Sequence, residues 1–186
     1  MICAQISGVK PYEGLDISPK MLKVARRRNP GLRLHLGDMA TFHLPRRFDA
    51  VICLFSAIAY ANTPTRFRRA IRNLAGQVAP GGVLVVDAWL APGVFTAGHV
   101  SVDEASDGIT TVVRVNRSSL RGRISIMEWH FLVATARRID HFTERHEVGL
   151  FEPDEYIEAM EAAGLSVDVD PAGCHGRGRY FGRAAA

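Results

Sequence analysis

The fold is decided by a short stretch near the start of the chain, EGLDISPKML, at residues 13–22. The residues EGLDIS suit a short β-strand, and a helix signal follows without a linker. Ser18 can cap this helix, and Pro19 suits its first position because the N–H that proline lacks has no intrahelical partner there. The stretch therefore predicts a strand that leads directly into a helix.

The alternation of strand and helix continues through the first half of the chain. LRLHLGD at residues 32–38 alternates as a strand does, and residues 50–55 form a continuous apolar run typical of strands buried on both faces. Residues 64–79 place apolar side chains at helical spacing. PGG at residues 80–82 predicts a sharp turn, and VLVVDAW at residues 83–89 predicts another buried strand. This order predicts a βαβαβ unit, in which ligands bind beyond the carboxyl ends of the parallel strands.

The second half of the chain has the alternating pattern of antiparallel strands. Residues 110–151 predict three strands joined by short turns, and residues 152–164 predict a helix that two closing strands follow. The first half and the second half therefore differ in strand direction.

We predict an α/β fold in one domain that spans residues 1–186. Its core, at residues 14–99, is a Rossmann-like, doubly wound and mostly parallel sheet that is truncated at its N-terminal side. An antiparallel β lobe follows at residues 100–150, and residues 151–186 supply the closing helix and strands.

The composition limits the class of protein. The chain has 186 residues, of which 47% are hydrophobic and 23% charged, and this fits one soluble globular domain. No apolar run approaches the ~18 residues of a membrane span, and no secretory signal is seen. Three widely spaced cysteines, Cys3, Cys53 and Cys174, argue against a disulfide framework or a metal site. We expect a cytoplasmic protein with no membrane partner.

The chain is basic, with a net charge of +4. A basic surface could attract nucleic acid or a phosphorylated small molecule, whereas a bias toward arginine codons is the plainer explanation. The basic residues lie in short scattered clusters with no aromatic residues between them, which is not typical of a nucleic-acid interface. We expect no nucleic-acid partner.

Aspartates mark the ends of two predicted parallel strands, Asp16 in GLDIS and Asp38 in GDM. Because the carboxyl ends of such strands meet at one edge, one acid can accept the two hydroxyls of a ribose. The acid on the next strand can then accept the exocyclic amine of adenine. Asp49 instead begins its strand and is expected away from the pocket. The alternative for each aspartate is an ordinary loop cap.

The order of these motifs resembles that of the class I methyltransferases that use S-adenosylmethionine. The similar segments are LDISPKMLKVARRR, LHLGDMATFHLPRRFDAVICLFSAIAY and VAPGGVLVV. More narrowly, LFSAIAY, DAWLAPGVF, MEWHFLV and GCHGRGRYFG resemble the amino-sugar N-methyltransferases, which methylate the amine of dTDP-linked deoxysugars in antibiotic biosynthesis. The resemblance covers about residues 14–183 and implies S-adenosylmethionine as the cofactor.

The resemblance implies a set of cofactor-binding residues. Asp16 would bind the ribose hydroxyls, and Ile17 would line the adenine face. Asp38 would accept the adenine amine, while Met39 would pack on the base and direct its backbone N–H at a ring nitrogen. Phe55 would line the pocket near the sulfonium, together with its neighbours Leu54 and Ser56. The alternative for Met39 and Phe55 is plain core packing.

Methyl transfer to an amine needs a donor, carbon and nucleophile held in line, and the amine must attack in its neutral form. Tyr60, just past the fourth strand of the motif order, is the first candidate for a catalytic contact with the acceptor. Glu128 and His130 lie two apart on one predicted strand and hence on one face, where they could orient the sugar and accept a proton. The alternative is a solvated sheet face with ordinary cross-strand pairs.

Three further residues are candidates for binding the substrate. His146, on the following strand, could join Glu128 and His130. Arg177, with Arg179, could meet a diphosphate or simply carry surface charge. Trp89 could stack on a sugar or base, or fill the core.

One expected element has no counterpart in the sequence. In the methyltransferases that the chain resembles, a central strand and a loop of the type E/DxGxGxG precede the ribose-binding strand, and the glycines allow a close approach to the cofactor. This chain offers Gly8 alone before GLDIS. We therefore expect two strands without a partner and weak or no binding of S-adenosylmethionine by the 186-residue chain. A start codon further upstream, a decayed gene copy and a second chain that supplies the element are the open explanations.

Two classes of function follow. The first is methyl transfer to the amine of a small polar substrate, a nucleotide-linked amino sugar. The second is a non-catalytic relic or accessory protein that associates through the β lobe, for which the missing loop argues. A nucleic-acid methyltransferase has only the basic charge in its favour. Apolar surface exposed at the gap in the sheet would favour a homodimer.

Overall fold

The computed structural model describes residues 12–173 and 176–186. Cys3, Gly8 and Cys174 lie outside the described residues. The structure divides into two compact units. The first contains residues 12–89 and Pro153–Ala186, and the second contains Leu90–Glu152.

The chain forms ten strands and three α-helices within the residues that the structure describes. The strands are β1 (Glu13–Asp16), β2 (Arg33–Leu36), β3 (Phe48–Cys53), β4 (Val78–Asp87), β5 (Val100–Ser106), β6 (Thr110–Arg121), β7 (Ile124–Thr135), β8 (Ile139–Gly149), β9 (Leu165–Asp170) and β10 (Arg179–Ala184). The helices are α1 (Pro19–Arg28), α2 (Pro64–Ala75) and α3 (Pro153–Glu161), and a short 3₁₀ helix spans Ala57–Tyr60.

The first unit contains two sheets. One is the parallel pair β1–β2, and the other has the order β3-β4-β10-β9, in which β3 and β4 are parallel and β10 is antiparallel to both of its neighbours. The predicted parallel pairs are therefore present. Among the strands that the structure describes, none lies between β1 and β3, so each of these two has a partner on one side only.

Helix signals in the sequence match the structure. Ser18 caps α1 by accepting the N–H of Met21 at 3.3 Å, and Thr63 caps α2 by accepting the N–H of Arg66 at 3.3 Å. The apolar side chains predicted at helical spacing in α2 are buried, so this helix is held mainly by packing of one face.

The PGG segment is not the turn that the sequence predicts. β4 runs through it from Val78 to Asp87, and the register against β3 shifts between Phe48 and Ala50. A Cβ on Gly82 would lie 2.8 Å from the carbonyl oxygen of Asp49, so only glycine lets the two strands approach at this irregularity.

The second unit is one antiparallel sheet of order β5-β6-β7-β8. Gly122, with φ 59°, makes the tight connection between β6 and β7 that the sequence predicts. Because side chains alternate along a strand, Glu128, His130 and Leu132 share one face of β7. Met127 and Trp129 occupy the opposite face. No helix among residues 12–173 and 176–186 is long and apolar enough to cross a membrane.

Candidate active site

Asp16 lies at the carboxyl end of β1, beside the end of β2. Its Oδ1 accepts the N–H of Ser18 at 2.8 Å, and its carbonyl oxygen accepts the N–H of Gly37 at 3.1 Å. The first bond aligns the start of α1, and the second ties β1 to β2 past their last paired residues, Asp16 and Leu36. Ile17, the next residue, is 64% exposed, so its side chain is available to a ligand at this edge.

Asp38 follows the end of the neighbouring strand. Its Oδ1 accepts the N–H of Ala40 at 2.9 Å, and its Oδ2 accepts from Nη2 of Arg66 at 2.6 Å. Burial by itself would raise the pKa of Asp38, but the Ala40 N–H and the Arg66 guanidinium outweigh it and hold the pKa below its usual value. Asp38 is therefore a stable carboxylate acceptor at neutral pH.

Met39 adds a donor to these acceptors. Its carbonyl oxygen accepts Nδ2 of Asn73 at 3.0 Å, which fixes the peptide, and its N–H has no partner among the described residues. The ends of β1 and β2 thus offer two carboxylates and one backbone N–H, which is what ribose hydroxyls, an exocyclic amine and a ring nitrogen require. Arg66 occupies one lone pair of Asp38 Oδ2, and a carboxylate oxygen has a second. The residues present therefore fit the adenosine of S-adenosylmethionine.

The segment after β3 is strained. Phe55 and Ser56 both have left-handed backbones, with φ 53° and 59°, a conformation that costs roughly 1–3 kcal/mol per residue without glycine. The N–H of Phe55 donates to Oδ2 of Asp87 at 3.0 Å, and the hydroxyl of Ser56 donates to the carbonyl of Ala88 at 2.6 Å. These bonds hold the ring of Phe55 in an exposed position at the carboxyl end of β3, with 59% of the residue exposed. Tyr60, at the end of the following 3₁₀ helix, is 47% exposed.

Asp87 is the residue in this region that the sequence analysis missed. Its side chain is 3% exposed, and Nε of Arg179 donates to its Oδ1 at 2.7 Å. Arg179, whose side chain is 33% exposed, is thus paired with a buried carboxylate and is not a free surface charge. The signal that could have found Asp87 is an acid at the end of an otherwise apolar strand, VLVVD, because a buried carboxylate requires partners.

Trp89 and Arg177 lie together. The guanidinium of Arg177 is 4.7 Å from the centre of the Trp89 ring, a cation–π distance, and both residues are partly exposed. The backbone N–H of Trp89 donates to the hydroxyl of Tyr156 at 3.4 Å, and burial raises the pKa of that hydroxyl. The two sequence-predicted substrate residues are therefore neighbours, anchored on a buried tyrosine.

Glu128 is fully engaged by arginines. Nε of Arg117 donates to its Oε2 at 3.1 Å, and Nη1 of Arg145 donates to its Oε1 at 3.2 Å. The hydrogen bond from Arg117 is the first cause that holds the pKa of Glu128 below its usual value, and the charge of Arg117 is the second. A carboxylate held in this state is a weak proton acceptor, which argues for a role in holding the arginines.

His130 and His146 do not share a face. His146 pairs with Met127, so it lies on the opposite side of the sheet from His130, with its ring 4.2 Å from that of Trp129 and Nε2 3.3 Å from Glu144. The predicted grouping of His146 with Glu128 and His130 is therefore wrong, because the register of β7 and β8 separates them. The histidine that does meet His130 is His141, whose Nε2 lies 3.2 Å from Nδ1 of His130.

Two surface recesses lie apart from these residues. One, of about 350 Å³, is at the amino-terminal end of β4, beside Val78 and Pro80, and the other, of about 330 Å³, is beside His43 and Gln77. No candidate residue lines either recess, so the chemistry of the strand ends, and not cavity size, identifies the site.

Known proteins with similar sequences are methyltransferases. The profile of a family described as a methyltransferase domain matches residues 2–82. The dTDP-3-amino-3,6-dideoxy-alpha-D-glucopyranose N,N-dimethyltransferase of Streptomyces fradiae is 45% identical over 94% of this chain and 69% of its own length. The dTDP-3-amino-3,4,6-trideoxy-alpha-D-glucopyranose N,N-dimethyltransferase of Streptomyces venezuelae is 41% identical over 91% of this chain and 72% of its own length.

Solved structures agree with this similarity. Streptomyces venezuelae DesVI has a TM-score of 0.89 and 40% identity over 94% of this chain and 74% of its own. CalS10, an amino pentose methyltransferase from Micromonospora echinaspora involved in calicheamicin biosynthesis, was solved with S-adenosylmethionine bound and has a TM-score of 0.83 and 40% identity over 93% of this chain and 73% of its own. The predicted α/β methyltransferase fold is confirmed, and the chain belongs to the methyltransferase family that includes these dTDP-amino-sugar N-methyltransferases.

Proposed function

We propose that this chain transfers a methyl group from S-adenosylmethionine to the amine of a dTDP-linked amino sugar. The observation that carries the proposal is the donor and acceptor set at the ends of β1 and β2, which suits an adenosine, in a chain of this family. The activities of the two related N,N-dimethyltransferases support the amino sugar as the acceptor.

The proposal gives the cofactor five contacts from this chain. Asp16 accepts the ribose hydroxyls, Asp38 accepts the adenine amine, and the Met39 N–H donates to a ring nitrogen. The exposed side chains of Ile17 and Phe55 cover the base and the methionine end. When bound, S-adenosylmethionine supplies an electrophilic methyl carbon on a positively charged sulfur.

The proposal assigns the nucleotide part of the substrate to Trp89 and Arg177. The indole offers a flat apolar surface, and the guanidinium that lies over it offers paired donors to a diphosphate. Tyr60 contacts the sugar, and His146 remains a candidate for binding the substrate. Because Arg177 is already held by a ring, little side-chain entropy is lost when it binds an anion.

The chemistry requires one proton acceptor for each methyl group. A neutral amine that gains a methyl carbon becomes an ammonium, so one proton must leave before the nitrogen can attack again. Glu128 is bound by two arginines, whereas His130 carries no charge partner among the described residues. We therefore assign proton acceptance to His130 and give Glu128 a supporting role.

The test is a methylation assay with a dTDP-linked amino sugar and saturating S-adenosylmethionine, followed by mass spectrometry. We expect the mass of the sugar to rise by one methyl group and then by two. In a second assay, with S-adenosylmethionine at a limiting concentration, we expect Asp38→Ala to abolish turnover. The matched change Asp49→Ala, at the exposed start of β3, should leave turnover intact. Methylation of a nucleic acid and not of the sugar would contradict the proposal.

We also propose a homodimer and a cytoplasmic location. Apolar side chains support the first: Leu36 is 62% exposed, Ile52 is 59% exposed and Met21 is 51% exposed, all in the first unit. Light scattering that gives the mass of one chain at all concentrations would contradict the dimer. Cell fractionation tests the location.

A further inference from the structure

Three polar side chains of α2 lie on one face of the helix and bond to the loop at residues 38–42. They are Arg66, Arg69 and Asn73, whose spacing of three and four residues places them on one side of an α-helix. The apolar side chains of the same helix are buried: Phe67, Ala70, Ile71 and Leu74. Because packing fixes the helix, its polar face presents hydrogen-bond donors from a defined position.

The backbone of this loop is attached to α2 at three carbonyl groups. Nδ2 of Asn73 donates to the carbonyl oxygen of Met39 at 3.0 Å and to the carbonyl oxygen of Phe42 at 2.9 Å. Nε of Arg69 donates to the carbonyl oxygen of Ala40 at 3.0 Å. A side-chain amide nitrogen carries two hydrogens, so Asn73 can make both of its bonds at once.

Hydrogen bonds within the loop set the direction of the Met39 N–H. The carbonyl oxygen of Asp38 accepts the N–H groups of Thr41 and Phe42 at 2.9 and 2.8 Å, which closes a turn. Because a trans peptide group is planar, the Met39 N–H of the same peptide points the opposite way, out of the turn. The next peptide is held at both ends, since the Ala40 N–H donates to Oδ1 of Asp38 at 2.9 Å and the Met39 carbonyl accepts from α2.

A separate contact from α2 holds the carboxylate. Nη2 of Arg66 donates to Oδ2 of Asp38 at 2.6 Å, and the Ala40 N–H donates to Oδ1. Asp38 and the Met39 N–H therefore form an acceptor and a donor on adjacent residues, each held by a different side chain of α2. This pair matches the exocyclic amine of adenine and the ring nitrogen next to that amine.

We propose that Asn73 is a positioning residue for the cofactor, which holds the turn so that the Met39 N–H stays directed at a ring nitrogen of adenine. The proposal rests on the proposed function and deepens it. Asn73 bonds to both ends of the turn, Met39 and Phe42, and this role requires no contact with the base. Asn73 therefore contributes to the recognition of the ring nitrogen, while Asp38, held by Arg66, recognises the amine.

Analogues of adenosine separate these two contacts. Purine riboside lacks the exocyclic amine, and 1-deazaadenosine and 7-deazaadenosine each lack one of the two ring nitrogens nearest to it. NMR titration of the native chain with adenosine and with each analogue measures the affinity that each missing atom costs. We expect purine riboside to bind about tenfold more weakly than adenosine, and one of the two deaza analogues to bind about threefold more weakly.

Variants of α2 then test the role of Asn73. Asn73→Leu removes both hydrogen bonds with little change in size, and we expect it to lose the preference for adenosine over that deaza analogue. The preference over purine riboside should remain, because Arg66 still holds Asp38. Asn73→Gln keeps the donors and should retain part of the first preference. Arg68→Met, a change at an exposed arginine of α2 outside this face, is the control and should alter neither preference.

Two outcomes of these titrations would contradict the positioning role. The first is an equal loss of both preferences in Asn73→Leu, which would indicate general damage to the fold. The second is a preference for the ring nitrogen that Asn73→Leu leaves unchanged.

Amide hydrogen exchange gives a result that does not depend on the cofactor. In the native chain we expect slow exchange of the N–H groups of Ala40, Thr41 and Phe42, and fast exchange of the Met39 N–H, which points out of the turn. In Asn73→Leu the amides of Thr41 and Phe42 should exchange at least about tenfold faster. A Met39 N–H as protected as the other three, or unchanged rates in the variant, would overturn the proposal. If the native chain binds no adenosine, the proposed function fails while the exchange rates still decide whether Asn73 holds the turn.

Discussion

The two units differ in how their strands are paired. In the second unit, β6 and β7 pair over their whole lengths, from Thr110↔Thr135 to Arg121↔Ile124, and tight turns join neighbouring strands. In the first unit, β1 and β2 pair over four positions only, and β3 has a neighbour on one side. The two strands of an antiparallel hairpin are neighbours in sequence, whereas a parallel strand pairs with a segment that is distant in sequence. The proposed cofactor contacts therefore lie on the less fully paired part of the molecule.

The largest expected effect concerns cofactor affinity. Asp38→Ala removes the carboxylate proposed to accept the adenine amine, and we expect calorimetric titration to show that the affinity for S-adenosylmethionine falls by about tenfold or more. The antiparallel sheet should remain folded in the same sample, as circular dichroism would show. An unchanged affinity in Asp38→Ala would contradict this prediction and the proposed role of that carboxylate.

The next effect compares ion pairs in the two units. Asp87→Ala leaves the partly buried Arg179 without its carboxylate partner, and we expect the free energy of unfolding to fall by about 1–3 kcal/mol. Glu128→Gln, in the exposed arginine network of the second unit, should cause no measurable change in urea unfolding. Equal losses of unfolding free energy in the two variants would show that the ion pairs of the two units contribute alike to stability.

A smaller effect is expected in hydrogen exchange. Amides in the centre of β6 and β7 should exchange at least about tenfold more slowly than those of β1, because β1 has few paired neighbours. Mass spectrometry of peptides from each strand measures the ratio. Equal protection would mean that β1 is held by contacts other than strand pairing.

The smallest effect is a pH dependence that comes from one carboxylate of the first unit, Glu13. Burial would raise the pKa of Glu13, but the hydrogen bond from His35 and the charges of Arg46 and Arg33 hold it below its usual value. Glu13 therefore stabilises the fold above the pKa of an unfolded glutamate, about 4.3, and this contribution is lost as pH falls through the lower folded value. Glu13→Gln should flatten the dependence of unfolding free energy on pH in that acid range, and an unchanged slope would contradict this account.

Local signals in the sequence were sufficient for much of the fold. Ser18 was placed at a helix start by its own chemistry, and Gly122 lies in a turn of the predicted kind. The PGG segment was misread because its glycine serves a contact with the neighbouring strand at Asp49, which no local pattern records.

The site was only partly predictable, for the same reason. Asp16 and Asp38 follow from strand order, because adjacent parallel strands end at one edge. The partners of Glu128 and the meeting of His130 with His141 depend on strand register, which a single sequence does not specify at this distance.

The strained turn at Phe55 and Ser56 limits which substitutions the chain can accept at these two residues. Glycine would adopt these left-handed angles freely, yet both positions carry side chains, one exposed and one bonded to Ala88. Phe55→Gly would relax the backbone while deleting the ring that the turn displays. At this residue an unstrained backbone and an exposed aromatic ring therefore exclude each other. The chain has the ring and the strained backbone.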